Sequence, residues 1–387
     1  MHEDRKAIEL HAARAPLLVA AVSGRALAAS ARRGGFPVVV LDYFADRDCA
    51  ASAVACRSVA AAGALRFDRR ALLAAAWELI PSAQCAGVVY GSGFESRPTL
   101  LRDLAAGRRL YGNRPDVIRA VKDPLRLAGL LEDLAVPHPE TSVAPPANPR
   151  GWLLKRIGGA GGTHVRPAGD GAPPAKSYFQ RIEPGQCCSV LFLADGRRAR
   201  ILGWNRQWTS RAIPGVPYLF GGAVGGIRLT SALTREIALA VERLVAATGL
   251  IGINGLDFVV QGRRWSALEV NPRPTATLEL YDPDYPRGLM AWHLAACDGL
   301  LPEHVPAPRA SRALSIVHAP GEWTPGDFAF PAWCRDLPGV TASLGAGDPV
   351  CTVHASAAEP DAAVQLVERR RARLETMIAR SRPTVAA

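Results

Sequence analysis

Two short stretches predicted to be strands decide the fold: Gly252-Ile253-Asn254-Gly255-Leu256-Asp257-Phe258-Val259-Val260 and Trp265-Ser266-Ala267-Leu268-Glu269-Val270-Asn271. The segment that joins them, Gln261-Gly262-Arg263-Arg264, is short and contains glycine. Such a connection between apolar, β-branched runs predicts a β-hairpin. The sequence therefore predicts one two-stranded unit over residues 252–271.

The polar side chains of this hairpin are predicted to share one face. Successive side chains of a strand point to opposite sides, so if Phe258 faces a core then Asp257 faces away from it. On the second strand Val270 would face the core, while Glu269 and Asn271 would face the opposite side. The hairpin would then present two carboxylates and one amide on a single surface.

This donor set suits Mg²⁺, which proteins bind through one or two carboxylates while water and nucleotide phosphates fill the other positions. Mn²⁺ accepts the same kinds of oxygen donor. Asp257, Glu269 and Asn271 are therefore the candidate metal ligands. The alternative is an ordinary half-exposed hairpin, because alternation alone also places polar residues on a solvent face.

The residues after the second strand add a guanidinium group. In Asn271-Pro272-Arg273-Pro274 two prolines flank Arg273, and arginine is suited to bidentate contact with a phosphate or an acyl phosphate. Together with Gly255-Leu256-Asp257-Phe258, the run Leu268-Glu269-Val270-Asn271-Pro272-Arg273-Pro274 resembles the metal-binding end of the ATP-grasp superfamily. That superfamily includes biotin carboxylase and many carboxylate–amine ligases.

A second stretch has the chemistry of a phosphate-binding loop. Lys155 lies in an apolar run, and four glycines follow shortly after it: Gly158, Gly159, Gly161 and Gly162. The backbone N–H groups of such a loop can surround phosphate oxygens while the ammonium adds charge. The stretch is not a Walker A motif, and a glycine-rich hairpin turn without a nucleotide is the alternative. By its position it resembles the flexible phosphate-covering loop of ATP-grasp enzymes.

The segment 176–192 resembles the connection between the two ATP-grasp subdomains, which holds adenine in that family. The resemblance implies that four consecutive residues line the adenine pocket: Gln180, Arg181, Ile182 and Glu183.

The sequence departs from the family at two places. Gln186 and Cys187 stand where an acid for the ribose is expected. Pro124 stands where many members carry a basic residue, and Lys122 and Arg126 are nearby substitutes. These departures leave the activity of the site open.

The first part of the chain predicts a parallel α/β unit. A buried strand at 17–22, a helix at 25–33 and a strand at 37–41 form a βαβ pattern, and residues 87–90 predict a further strand. Ligands of such sheets bind where the strands end, which makes four residues candidates for a substrate cleft: Ser23, Gly24, Ser92 and Gly93. The alternative is that these residues only allow tight turns.

Further candidates lie between the two motifs. Residues 218–226 are rich in glycine and predict a loop that covers an acceptor site, with Arg206, Gln207 and Arg211 as substrate contacts or as solvated loop residues. His293 lies among Ala, Leu and Trp, which favours a buried structural histidine.

Composition limits the partners. The formal net charge of +11 is scattered rather than concentrated in runs, which favours anionic small molecules such as ATP and excludes a typical nucleic-acid binder. No apolar run is long enough to span a membrane, and the eight cysteines lack CxxC spacing, so we expect a reduced, cytoplasmic protein. Oligomerisation remains open.

The resemblance extends over nearly the whole chain and implies an α/β (α+β) protein. A Rossmann-like preceding domain would occupy residues 1–115, and an ATP-grasp domain of two α+β subdomains residues 116–300. The glycine-rich subdomain, about 150–180, would be mobile. Residues 301–387 would form a β-rich C-terminal extension with a closing helix.

The resemblance implies an ATP-dependent carboxylate–amine ligase that uses ATP and Mg²⁺, with Arg273 and Lys155 as catalytic residues. The group that it resembles most accompanies the biosynthesis of one-carbon cofactors of the tetrahydromethanopterin and methanofuran type. Two alternatives stay open: a carboxylase-like enzyme that uses bicarbonate, and a non-catalytic partner subunit. The sequence names neither the acid nor the amine.

Overall fold

The computed structural model describes residues 15–61 and 64–381. The helices are α1 Arg25–Arg33, α2 Arg47–Ser52, α3 Arg69–Leu79, α4 Pro98–Leu104, α5 Pro115–Lys122, α6 Pro124–Asp133, α7 Ser231–Thr248, α8 Leu278–Tyr281, α9 Gly288–Cys297 and α10 Pro360–Ser381. The strands are β1 Leu17–Ala21, β2 Val38–Asp42, β3 Ala55–Ser58, β4 Ala60–Ala61, β5 Ala64–Phe67, β6 Gly87–Tyr90, β7 Leu110–Tyr111, β8 Thr141–Ser142, β9 Trp152–Arg156, β10 Arg166–Pro167, β11 Ser177–Arg181, β12 Gln186–Asp195, β13 Ala199–Ser210, β14 Leu219–Gly225, β15 Ile251–Gln261, β16 Arg264–Asn271, β17 Ser311–His318, β18 Cys334–Arg335 and β19 Pro349–Ala357.

The first strands form a parallel sheet in the order β3-β2-β1-β6-β7. Its central strand β1 is buried along its whole length, as its continuous apolar run predicts. Helix α1 spans the predicted residues 25–33, and the predicted parallel α/β unit is confirmed. The loops after β1, β2 and β6 therefore open at one edge of this sheet.

Two consecutive helices lead from this sheet to the site. Pro115 begins α5, where its fixed φ suits a first turn. Asp123 ends α5 and caps α6, because its carboxylate accepts from the N–H groups of Leu125 and Arg126, each at 3.1 Å. This junction fixes Lys122 as the last residue of α5.

A small four-stranded sheet carries the glycine-rich segment. Its order is β10-β9-β11-β8, and its apolar centre is formed by Trp152, Leu154 and Phe179. Lys155 lies on β9 and pairs with Tyr178 of β11. We call this small sheet, with the loop between β9 and β10, the lid sheet.

The largest sheet has eight strands in the order β16-β15-β12-β13-β14-β17-β19-β18. The strands that follow residue 301 do not form a separate sheet, because β17 pairs with β14. Helix α10 packs on β17 and β19, and Val367 and Leu374 are fully buried there. The C-terminal residues thus extend the sheet that carries the predicted hairpin.

The predicted hairpin is confirmed as β15 and β16. Phe258 and Val270 are fully buried on one side of the sheet. A bulge follows Asp257, because the next residue, Phe258, pairs with Ala267 and not with Leu268. Leu268 is therefore the extra, unpaired residue of the bulge, although simple alternation would place it on the same face as Val270. The bulge leaves Asp257 directly opposite Glu269.

The prediction of a loop at residues 218–226 is wrong, because most of this segment forms strand β14. Its glycines serve close packing rather than mobility. A Cβ atom on Gly222 would lie 2.3 Å from the carbonyl oxygen of Leu314 and 2.5 Å from the ring of Trp208. Only a residue without a side chain fits between these neighbours.

One buried arginine ties three parts of the chain together. The guanidinium of Arg25 donates to both carboxylate oxygens of Glu279 at 2.6 and 2.5 Å and to Asp336 at 2.9 Å. Only 6% of the Arg25 side chain is exposed. Burial would raise the pKa of Asp336, but the charge of Arg25 outweighs it and holds that pKa at about 2. Arg25 therefore joins the first sheet to the segment after the hairpin and to the C-terminal strands.

We expect Arg25→Met to lower the free energy of unfolding by about 3 kcal/mol, because it leaves two half-buried carboxylates without their cation. The matched control is Arg57→Met, which breaks a pair with Glu78 whose side chains are 43% and 59% exposed. That change should cost less than about 1 kcal/mol. Urea unfolding of the three proteins measures both values, and equal losses would contradict the role given to Arg25.

Candidate functional site

Three polar side chains converge at the end of the β15–β16 hairpin. Asp257 lies opposite Glu269, and Asn271 lies two residues further along the same face of β16. The amide of Asn271 donates to Asp257 Oδ2 at 2.9 Å, which turns the carbonyl oxygen of Asn271 away from that carboxylate. Gln207 of β13 donates to the other oxygen of Asp257 at 3.1 Å. The structure thus brings the three predicted metal ligands together.

A lysine closes this group from the side of α5. The ammonium of Lys122 donates to Glu269 Oε1 and, at 3.3 Å, to Asn271 Oδ1. Its side chain is only 6% exposed. Lys122 is one of the two predicted substitutes for the residue at Pro124, and it contacts two of the predicted metal ligands.

The second lysine comes from the lid sheet. Lys155 is buried, and its ammonium donates to Gln180 Oε1 at 2.5 Å. The amide nitrogen of Gln180 reaches the carbonyl oxygen of Leu268 at 3.4 Å. This chain of contacts connects the lid sheet to the hairpin next to Glu269.

Arg273 is held by Glu95, a residue of the loop after β6 that the sequence does not mark as a site residue. Its guanidinium pairs with Glu95 and lies 3.5 Å from Asn271 Oδ1. Glu95 follows β6, in the loop where Ser92 and Gly93 were the predicted cleft residues. The position of this loop after a buried strand does predict a ligand-binding loop. The carboxylate that reaches the site, however, belongs to Glu95, two residues after Gly93.

The glycine-rich loop is docked between two neighbours. A Cβ atom on Gly158 would lie 2.6 Å from the backbone of Ser96, and one on Gly162 would lie 1.8 Å from the carbonyl oxygen of Tyr218. Both glycines, like Gly161, have positive φ. The carbonyl oxygen of Gly161 also accepts from the N–H of Phe220 at 3.0 Å. These positions require glycine for close approach.

His164 lies at the end of this loop, and its ring covers Gly159, where a Cβ atom would come within 2.3 Å of it. The Nδ1 atom of His164 is buried and has no hydrogen-bond partner among the described residues. Burial lowers the pKa of His164, so the ring is neutral near pH 7. No sequence motif predicts a function for His164.

Burial and neighbouring charges shift the pKa values of the ionisable groups in the site. Burial, reinforced by the charge of Glu269, raises the pKa of Asp257 to about 6. Burial would also raise the pKa of Glu269, but the Lys122 ammonium outweighs it and the pKa lies below its ordinary value. Burial lowers the pKa of Lys155, against the opposing effect of the two carboxylates.

The predicted adenine-binding residues are only partly brought together. Gln180 faces the site, but the side chain of Arg181 lies on the other side of β11, 5.6 Å from the ring centre of Trp152. The N–H groups of Arg181 and Ile182 already donate to the carbonyl oxygens of Glu140 and Gly151. Alternation along β11 directs the neighbouring side chains of Gln180 and Arg181 to opposite faces, so only Gln180 turns its side chain to the hairpin, and an adenine contact of Arg181 stays a prediction. Glu183 follows β11 and is half-buried.

The remaining candidates separate into two groups. Gln207 joins the site through Asp257, whereas Arg206 pairs with Asp361 of α10 and Arg211 is exposed. Ser23 and Gly24 bond to Asp336 and Asp42, away from the hairpin residues.

His293 is a buried structural histidine, as predicted. It accepts from the N–H of Ile253 at 2.9 Å, and burial lowers its pKa to about 4.

The donor set fits a hard divalent cation. Two carboxylates and an amide oxygen converge, and the contacts of Lys122 show that a positive charge is accommodated between Glu269 and Asn271. Asp257, Glu269 and Asn271 are the residues that would hold Mg²⁺ or Mn²⁺.

Comparison with known proteins bears on the fold that carries these residues. A family profile described as an ATP-grasp domain matches residues 121–277, from the end of α5 to the segment after Arg273. The carbamoyl phosphate synthase large chain of Rubrobacter xylanophilus is 24% identical over 225 residues, which are 52% of this chain. The match spans only 21% of the length of that relative.

Two solved structures are similar over almost the whole chain. Carboxyaminoimidazole ribonucleotide synthase of Aspergillus clavatus, solved with ATP, has a TM-score of 0.67 at 15% identity and covers 95% of this chain and 99% of its own. Biotin carboxylase of Campylobacter jejuni has a TM-score of 0.67 at 13% identity, covering 90% and 89%. The expected ATP-grasp fold is thus confirmed, and these matches are consistent with an enzyme. In the part of the chain that is described, no helix is both long and apolar enough to cross a membrane.

We expect Gly162→Ala to undock the loop, because the new methyl group would collide with Tyr218 and the residue would keep a positive φ. Amide hydrogen exchange at residues 158–164 and 218–220 should become on the order of tenfold faster, as strain of about 1–3 kcal/mol is relieved by opening. Gly169→Ala is the control, since nothing lies within 4 Å of its added Cβ. Unchanged exchange in Gly162→Ala would contradict the docking.

Proposed function

We propose that this protein is an ATP-dependent carboxylate–amine ligase that forms an amide through an acyl phosphate. One observation carries the proposal: Asp257, Glu269 and Asn271 converge at the end of one hairpin, with Arg273 next to them and Lys155 facing them from the lid sheet. The confirmed ATP-grasp fold supports it. Of the two solved neighbours, one is a carboxyaminoimidazole ribonucleotide synthase solved with ATP and the other is a biotin carboxylase.

The nucleotide would lie between the lid sheet and the hairpin. Lys155 and the N–H groups of the loop 158–162 would bind its phosphates, while Gln180, next to the ammonium of Lys155, would orient that lysine. When bound at Asp257, Glu269 and Asn271, Mg²⁺ neutralises charge on the phosphate oxygens.

The lid sheet must open before a nucleotide enters. The cavity beside Lys122, Tyr178, Gln180 and Glu269 measures only about 30 Å³. Ligand pockets usually have volumes of about 300–1,000 Å³. We therefore propose that the subdomain at about 150–180 moves away from the hairpin and closes again over bound ATP.

The reaction consists of two displacements. A carboxylate oxygen of the acid attacks the γ-phosphorus, the bond from that phosphorus to the β–γ bridging oxygen breaks, and ADP leaves. The amine nitrogen then attacks the acyl carbon, the C–O bond to phosphate breaks, and the nitrogen loses a proton. Arg273 would hold the acyl phosphate, and its pairing with Glu95 keeps the guanidinium at the site until an anion arrives.

The cellular setting is also part of the proposal. From the sequence resemblance we propose that the substrates belong to the acids and amines of one-carbon cofactor biosynthesis, of the tetrahydromethanopterin or methanofuran type, in the cytoplasm. The substrates would be small anionic molecules, in keeping with the net charge of +11.

We expect Glu269→Gln to reduce ATP-dependent phosphate release about 100-fold or more, because one of the two metal carboxylates is lost while the shape is kept. Glu303→Gln, at an exposed position outside the site, is the control and should leave the rate unchanged. Circular dichroism confirms the fold of both variants. A normal rate of phosphate release in a folded Glu269→Gln variant would contradict the assignment of Glu269 as a metal ligand.

The ligase itself is tested with hydroxylamine as a surrogate amine. The parent protein should convert a suitable acid to its hydroxamate only in the presence of ATP, across a panel that includes glutamate and pterin- or furan-linked carboxylates. Arg273→Lys should lower this rate about 100-fold but change ATP affinity little, because lysine lacks the bidentate geometry. Arg263→Lys in the exposed hairpin turn is the matched control.

The outcomes distinguish the ligase from the two alternative hypotheses. A carboxylase-like enzyme would release phosphate with bicarbonate and form no hydroxamate from any organic acid. A non-catalytic subunit would do neither. The absence of a hydroxamate from every acid of the panel would therefore overturn the ligase proposal.

A further inference from the structure

Lys122 makes its contacts with two of the oxygens that the proposed metal ion would use. Its ammonium donates to Glu269 Oε1 and to Asn271 Oδ1, and both residues belong to β16. The third predicted ligand, Asp257, is bonded to Gln207 and Asn271 and not to the lysine. The ammonium therefore lies on the side of the site formed by Glu269 and Asn271.

The lysine has little freedom to sit elsewhere while the site is closed. It ends α5, and the capped junction at Asp123 fixes its backbone. Its side chain is 6% exposed, so moving it away from Glu269 would leave a buried ammonium without a carboxylate unless another anion replaced it. Glu95, a nearby buried carboxylate, is already paired with Arg273.

We propose that Lys122 is a tethered counter-ion that occupies part of the metal site in the nucleotide-free protein and transfers to the nucleotide phosphates when these arrive. This inference rests on the proposed metal site. It assigns to Lys122 a positioning function that couples the binding of the divalent ion to the binding of the nucleotide.

The coupling follows from competition between two cations for the same oxygens. A divalent ion that approaches Glu269 and Asn271 must displace the ammonium, which costs the lysine its only carboxylate partner among the contacts described. The phosphate oxygens of a bound nucleotide offer the ammonium a new partner and so remove that cost. Metal and nucleotide should then strengthen each other's binding by the same factor.

The test measures Mn²⁺ binding by titration calorimetry, with and without ADP, on the intact protein. Without ADP, Lys122→Met should bind Mn²⁺ about tenfold more tightly than the parent protein, because the competing cation is gone. With ADP this advantage should disappear. Lys122→Arg keeps a cation and should behave like the parent.

Lys155→Met is the matched control. It also removes one buried ammonium from the site, but Lys155 contacts Gln180 rather than the metal oxygens. Its gain in nucleotide-free Mn²⁺ affinity should be clearly smaller than that of Lys122→Met. If Lys122→Met does not fold, Lys122→Gln provides the same comparison, since its amide can still donate to Glu269.

The results distinguish this inference from the proposed function. If the parent protein binds no Mn²⁺ even with ADP, the metal site itself is refuted. If the parent binds Mn²⁺ with ADP but Lys122→Met and Lys122→Gln gain no nucleotide-free affinity, the metal site stands and the counter-ion proposal is overturned. A gain of equal size in Lys155→Met would also overturn it, because any loss of positive charge would then suffice.

Discussion

Pairing of buried charges is the constraint on which the site depends. Glu269 faces Lys122 and Arg273 faces Glu95, and each pair joins two elements that are distant in sequence. In a cleft of low dielectric constant, an unpaired charge would cost several kcal/mol, so each partner holds the other in place. The hairpin, α5 and the loop after β6 are thus positioned by electrostatics as well as by the apolar core beneath them. A polyanionic ligand would offer Lys122 and Arg273 new anionic partners in place of Glu269 and Glu95.

The hairpin of the site could be predicted because its pattern is contained in one short stretch of sequence. Alternation in residues 252–271 was enough to place Asp257, Glu269 and Asn271 on one face, even though the bulge at Leu268 was not foreseen. The first parallel strands were equally clear, since β1 is a continuous apolar run. These patterns depend on neighbours a few residues apart, which a single sequence contains in full.

Features that depend on distant partners could not be predicted in the same way. The glycines of β14 suggest a loop in the sequence, yet a glycine is needed at position 222 because Trp208 and the backbone of Leu314 lie against it. The carboxylate that holds Arg273 comes from a residue 178 positions earlier in the chain. The backbone N–H groups of Arg181 and Ile182 bond to Glu140 and Gly151, which are about 30 to 40 positions earlier in the chain. In each case tertiary packing, and not propensity, decided the outcome.

The pairing of β17 with β14 has a consequence for how the chain can be divided. The extension after residue 301 covers the edge of the strand next to β13, which supplies Gln207 to the site. Removing that extension would expose unpaired N–H and C=O groups along β14, and such an edge recruits strands from other molecules. The C-terminal segment therefore also protects the eight-stranded sheet from association with other molecules, and a shortened version would gain a self-associating edge.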